Sequence, residues 1–117
     1  HSYPYVAAQL SASLSVGIDV EQPKEKLLKI APRVLSLIEQ KDAGTNLAKH
    51  CVYWCAKEAM YKIHGKRGLH FNSQLNIEPF TLGDQGTLQG TISTDTLVHV
   101  ELGYQVEDDF VMVYTRV

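Results

Sequence analysis

The sequence predicts a mixed α+β fold, one long helix packed against an antiparallel sheet. Three observations predict it. Two short apolar runs, residues 5–10 and 14–20, flank the small polar stretch 11–13. Residues 45–64 contain neither Pro nor Gly. Beyond Gly68, four segments alternate or run apolar between turn residues. A chain of 117 residues is one ordinary domain with a modest core.

Each element has its own local signal. The runs 5–10 and 14–20 read as neighbouring strands joined by a turn, and Pro23 ends the second. Residues 24–38 carry Leu27, Leu28, Ile30, Val34, Leu35 and Ile38 at helical spacing. Pro32 lies inside that stripe, so two short helical pieces are expected, broken at the proline. The next helix spans 45–64, with Thr45 as N-cap and Gly65 as C-cap. Leu47, Cys51, Trp54, Cys55, Ala59 and Ile63 supply its apolar positions. Strands are expected at 75–80, 86–93, 97–104 and 110–115, with turns at Gly83-Asp84 and Glu107-Asp108-Asp109.

Composition narrows the function classes. With 44% hydrophobic and 21% charged residues, the chain is globular rather than disordered. Eleven basic against thirteen acidic side chains give a net charge of -2, which argues against a nucleic-acid binder working through a basic surface. No apolar run reaches the ~20 residues of a membrane-spanning helix. Cys51 and Cys55 stand one helical turn apart, a poor structural staple, so a reduced, cytoplasmic setting is expected. No second Cys or His pair stands at zinc-site spacing.

The acids carry the chemistry. On a strand, residues two apart share a face, so Gly17-Ile18-Asp19-Val20-Glu21 sets two carboxylates on one side and Ile18 and Val20 on the other. Two such carboxylates repel unless a cation lies between them, and Mg²⁺ favours oxygen ligands of this kind. A solvated strand end is the alternative. On the long helix, Trp54, Glu58 and Lys62 follow at i, i+4 and i+8. Glu58 could complete a metal site begun by Asp19 and Glu21, and Lys62 could pair with a phosphate. An ordinary Glu–Lys helix pair explains the same spacing, and Trp54 suits a core position. Gly65-Lys66-Arg67-Gly68 could approach a phosphate or be a solvated loop.

Taken in order, these segments resemble the 4'-phosphopantetheinyl transferase superfamily. The family's G-[IV]-D-[IV]-E strand corresponds to residues 17–21, and its W-x-x-K-E-x-x-x-K helix to Trp54, Lys57, Glu58 and Lys62. His1-Ser2 is similar to the end of the Ser-His-Ser/Thr strand of the larger, two-lobed, surfactin-synthetase-activating type. Residues 30–36 with Glu39, and the Gly65–Gly68 turn, are similar to further family segments. The resemblance covers most of residues 1–80.

What the resemblance implies is transfer of the 4'-phosphopantetheine arm of coenzyme A to a serine of an apo acyl or peptidyl carrier protein. Adenosine 3',5'-bisphosphate would be released. Mg²⁺ would be held by Asp19, Glu21 and Glu58. Lys62 would pair with the pyrophosphate. Glu58, or a metal-bound water near it, would be the general base. His1 and Lys57 would touch coenzyme A phosphates. The resemblance to the two-lobed type further implies that residues 1–117 form one catalytic lobe, the C-terminal one. That expectation carries two others: an incomplete coenzyme A pocket in the isolated chain, and self-association that covers the lobe interface.

Overall fold

A computed structural model describes residues 17–65 and 67–116. Five strands form one antiparallel sheet: β1 (Ile18–Glu21), β2 (Leu75–Ile77), β3 (Gln85–Ser93), β4 (Leu97–Val106) and β5 (Val111–Thr115). Their order across the sheet is β1-β5-β4-β3-β2. Four helices, α1 (Lys26–Val34), α2 (Leu37–Ala43), α3 (Leu47–His64) and the single turn α4 (Phe71–Gln74), separate β1 from β2. The expected α+β architecture is present. The strand expected at 5–10 lies outside the described residues.

The local chemistry explains the element ends, including those that differ from expectation. Pro32 sits inside α1 without ending it. The break falls at residues 35–36, where Ser36 opens a new helix with a capping box: its Oγ accepts from Glu39 N at 3.2 Å, and Glu39 Oε1 accepts from Ser36 N at 2.7 Å. The box carries α2 on to Ala43, past the expected limit at 38. Leu28 and Ile38, expected in the apolar stripe, are exposed, while Ala31 is buried instead. Asn46 rather than Thr45 caps α3, its Oδ1 accepting from Lys49 N at 3.0 Å. Gly65 closes α3 at a φ of 74°, a left-handed conformation that favours glycine. β2 stops at Ile77, two residues before Pro79, which has no N–H for the ladder.

α3 is the centre of the molecule. It is buried against the sheet through Val52, Ala56 and Met60, and against α1 and α2 through His50, Tyr53 and Lys57. Its half-buried stripe is Leu47, Trp54, Glu58 and Tyr61, at steps of seven, four and three residues. Tyr53 donates to Asp42 Oδ2 at 2.6 Å, and Lys49 pairs with the same oxygen at 2.9 Å. Burial pushes the Asp42 carboxyl up. The bonds from Tyr53, Lys49 and Phe80 N outweigh it and hold Asp42 below its ordinary value of 3.8. A carboxyl lowered by folding adds stability above its ordinary value, and that stability is lost as pH falls through the lowered value. Asp42→Asn is therefore expected to flatten the acid side of the Tm–pH curve below about 3.8. Identical acid limbs in the two proteins would contradict this.

β1 meets α3 without a side chain between them at Gly17. A Cβ there would collide with Ala59 O and would lie 2.6 Å from Ile63 Cγ2. Gly17 N donates to Thr115 Oγ1 at 2.9 Å and Thr115 N donates to Gly17 O at 2.8 Å, so the strand cannot slide away freely. Gly17→Ala is expected to cost about 1–3 kcal/mol, as overpacking does, and to displace Asp19 two residues on. Thermal melting checks the first effect. An unchanged Tm would show that β1 can shift at no cost.

Candidate active site

The register of β1 fixes where its acids point. Asp19 pairs with Val113 and Glu21 with Val111, both fully buried residues of β5. Cross-strand partners share a face, so both carboxylates are turned toward α3. Ile18 and Val20 pair with Tyr114 and Met112, on the opposite face. Among the described residues β1 is an edge strand with its acids toward α3 and its aliphatics on the other face, which reverses the usual preference, and burying a carboxylate such as Asp19 costs free energy. Such violations concentrate at functional sites.

α3 brings the other groups. Lys62 donates to Asp19 Oδ1 and to Ile18 O, each at 2.9 Å. Cys51 and Cys55, both free thiols, face the same seam, with Sγ 3.8 Å from Glu21 O and 4.0 Å from Val111 O. Asp19 Oδ2 is buried and has no hydrogen-bond partner among the described residues. Burial raises the Asp19 carboxyl; Lys62 and the Cys55 thiol oppose the shift and Glu21 adds to it. Burial also raises Glu58, with Asp19 and then Glu21 pushing further and Lys62 opposing. The three acids thus feel one another's charge, with Lys62 beside them.

Among the described residues, no three His, Cys, Asp or Glu side chains stand in metal-binding geometry as they are. The donor types nevertheless suit a hard divalent cation: Glu58 feels the charges of Asp19 and Glu21, and Asp19 Oδ2 has no N–H or O–H donor among the described residues. Lys62 occupies the other Asp19 oxygen.

One expected ligand is placed elsewhere. Lys57 does not reach this seam. Its Nζ is fully buried and donates to Val34 O at 2.9 Å, Glu39 Oε1 at 2.5 Å and Phe71 O at 2.7 Å, which uses all three N–H groups. No donor remains for a coenzyme A phosphate. One residue step on a helix turns about 100°, which separates Lys57 from Glu58. His1 lies outside the described residues, as does Lys66 of the glycine-bounded turn. Trp54 packs, as the sequence suggested, with its ring 6.0 Å from that of Phe71.

Sequence reasoning did not find an open groove at Trp54, whose lining includes none of the acids. It has a volume of about 460 Å³ and runs between residues 32–34 at the end of α1 and residues 69–72. Trp54 lies at its base, one helical turn before Glu58 on the same stripe. Arg33 and His70 stand on its two walls. No local signal pairs α1 with the segment after α3, because the contact is long-range.

The fold, the inward acids of β1 and the Glu58–Lys62 face of α3 together agree with a family assignment. The family model of the 4'-phosphopantetheinyl transferase superfamily matches residues 15–115, and the chain belongs to that superfamily. Phosphopantetheinyl transfer is the general chemistry of the family, with coenzyme A and a carrier protein as its general partners. No curated protein matches the chain. Among the described residues, no helix is long and apolar enough to cross a membrane.

Proposed function

We propose that this chain catalyses Mg²⁺-dependent transfer of the 4'-phosphopantetheine arm of coenzyme A to a serine of an apo acyl or peptidyl carrier protein, releasing adenosine 3',5'-bisphosphate. The observation that carries the reading is the buried Asp19 carboxylate, with no N–H or O–H donor on Oδ2 among the described residues, at a seam shared with Glu21, Glu58, Lys62 and the Cys55 thiol. Asp19, Glu21 and Glu58 would hold the cation. Mg²⁺ when bound supplies charge neutralisation on the pyrophosphate oxygens as the bridge breaks. Lys62, half-exposed and tethered at Asp19, would swing its ammonium onto the same phosphates. Glu58, or a water near it, would take the serine proton as general base. His1 would contact a coenzyme A phosphate.

The finer placement within the family is also proposed. The chain is the catalytic lobe of the two-lobed type, a single domain over residues 1–117, working in the cytoplasm. The support is the order of segments, with His1-Ser2 upstream of the acidic strand.

Calorimetric titration with coenzyme A tests the metal-bridged site. Binding is expected to weaken at least about tenfold when Mg²⁺ is chelated. Binding indifferent to Mg²⁺ would instead favour a non-catalytic module that takes nucleotide or carrier protein without turnover.

A further inference from the structure

We propose that Lys57 is a positioning residue that sets the width of the groove at Trp54, between the end of α1 and the segment after α3. The inference rests on the transfer reading for its kinetic consequence, but not for its structural content. Two of the three Lys57 acceptors are backbone carbonyls of opposite groove walls. Val34 O belongs to the end of α1 and Phe71 O to the segment after α3. The third acceptor, Glu39 Oε1, anchors the ammonium from behind. Glu39 is itself fixed, since Oε1 also accepts from Ser36 N and Oε2 accepts from Ile77 N at 2.7 Å. One buried ammonium therefore ties α1, α2 and α4 to α3 at a single point.

The groove has no other polar tie of this kind among the described residues. Phe71 also packs its ring on α3, 6.0 Å from Trp54 and 5.1 Å from Tyr61, at tilted angles. Ring packing alone lets a wall of four residues shift, whereas short charge-assisted bonds to carbonyls hold distance and direction. Substrate that extends from Glu58 along the half-buried stripe of α3 meets Trp54 next, so groove width controls how well its position is fixed.

Trp54 is the single tryptophan of the chain and lies at the groove base, so its fluorescence reads the width directly. The variant Lys57→Met/Glu39→Gln removes both buried charges and the tie together. Compared at a temperature where circular dichroism shows both proteins folded, acrylamide quenching of Trp54 is expected to roughly double in the variant. Glu39→Gln alone keeps the Lys57 bonds to Val34 and Phe71, and is expected to quench as wild type does. Unchanged quenching in the folded double variant overturns the proposal. Should that variant not fold, couplings across the hydrogen bonds from Lys57 Nζ to the Val34 and Phe71 carbonyl carbons are measured in the wild type, and their absence overturns it equally.

In transfer assays the double variant is expected to raise the KM for coenzyme A about tenfold, with the Mg²⁺ dependence unchanged. A purely structural role predicts that KM recovers with folding, and that result also overturns the proposal. Absence of transfer in the wild type would remove the functional reading but leave the quenching experiment to judge the tie.

Discussion

Asp19→Asn is expected to reduce transfer by at least about 10²-fold without lowering stability, because it removes a cation ligand that the fold carries at a cost. The amide oxygen can still accept from Lys62, so the lattice of β1 and α3 survives. What disappears is a buried negative charge whose second oxygen has no N–H or O–H donor among the described residues. Burial raises this carboxyl, and Glu21 adds to the shift against the pull of Lys62. A carboxyl raised by folding lowers stability as pH climbs above its ordinary value, here 3.8, through the raised one. At neutral pH and without divalent cation, the asparagine variant is therefore expected to melt no lower than wild type. Added Mg²⁺ should raise the wild-type Tm and leave the variant unmoved. Melting curves with and without Mg²⁺, run beside the transfer assay, check both parts. Loss of Tm together with activity would mark Asp19 as a structural residue.

The second large effect lies away from the seam. Lys57→Met is expected to destabilise the protein by about 3–5 kcal/mol, the usual cost of breaking a buried ion pair by removing one partner. For a domain of this size that is a fall in Tm of about 10 to 30 °C. The cause is specific. The Glu39 carboxylate would remain buried with only Ser36 N and Ile77 N, and the carbonyls of Val34 and Phe71 would lose their donor. Burial also lowers the Lys57 ammonium against the pull of Glu39, so each charge is costly without the other even where the bonds of Lys57 to the carbonyls persist. Lys57→Met/Glu39→Gln is expected to recover part of the loss, since no lone charge remains. Denaturant unfolding of the two single variants and the double gives the coupling. Strict additivity would contradict a mutual pair.

The contrast between these lysines shows what local sequence can carry. Period-two alternation placed Asp19 and Glu21 on one face, because a strand enforces it. It could not say that this face is the inner one, which depends on the β1–β5 register. Spacing put Glu58 and Lys62 on one side of α3, and they are there. It could not say that Lys57 points to Glu39, eighteen positions away, since no periodicity links α2 to α3. The capping box from Ser36 to Glu39 was readable as a helix start, but the second task of Glu39 was not. Pro32 shows the same limit from the other side. Its steric rule is local, yet in the last turn of α1 the break falls instead where Ser36 nucleates the next helix. The groove, made by two segments thirty-five residues apart, left no trace in any window.

The most direct test is the intact mass of an apo carrier protein after incubation with coenzyme A, Mg²⁺ and the full-length protein. A gain equal to one phosphopantetheine arm is expected, lost on chelation and in Asp19→Asn. No gain with the wild type, or a gain indifferent to Asp19→Asn, would contradict a transfer centred on Asp19, Glu21 and Glu58.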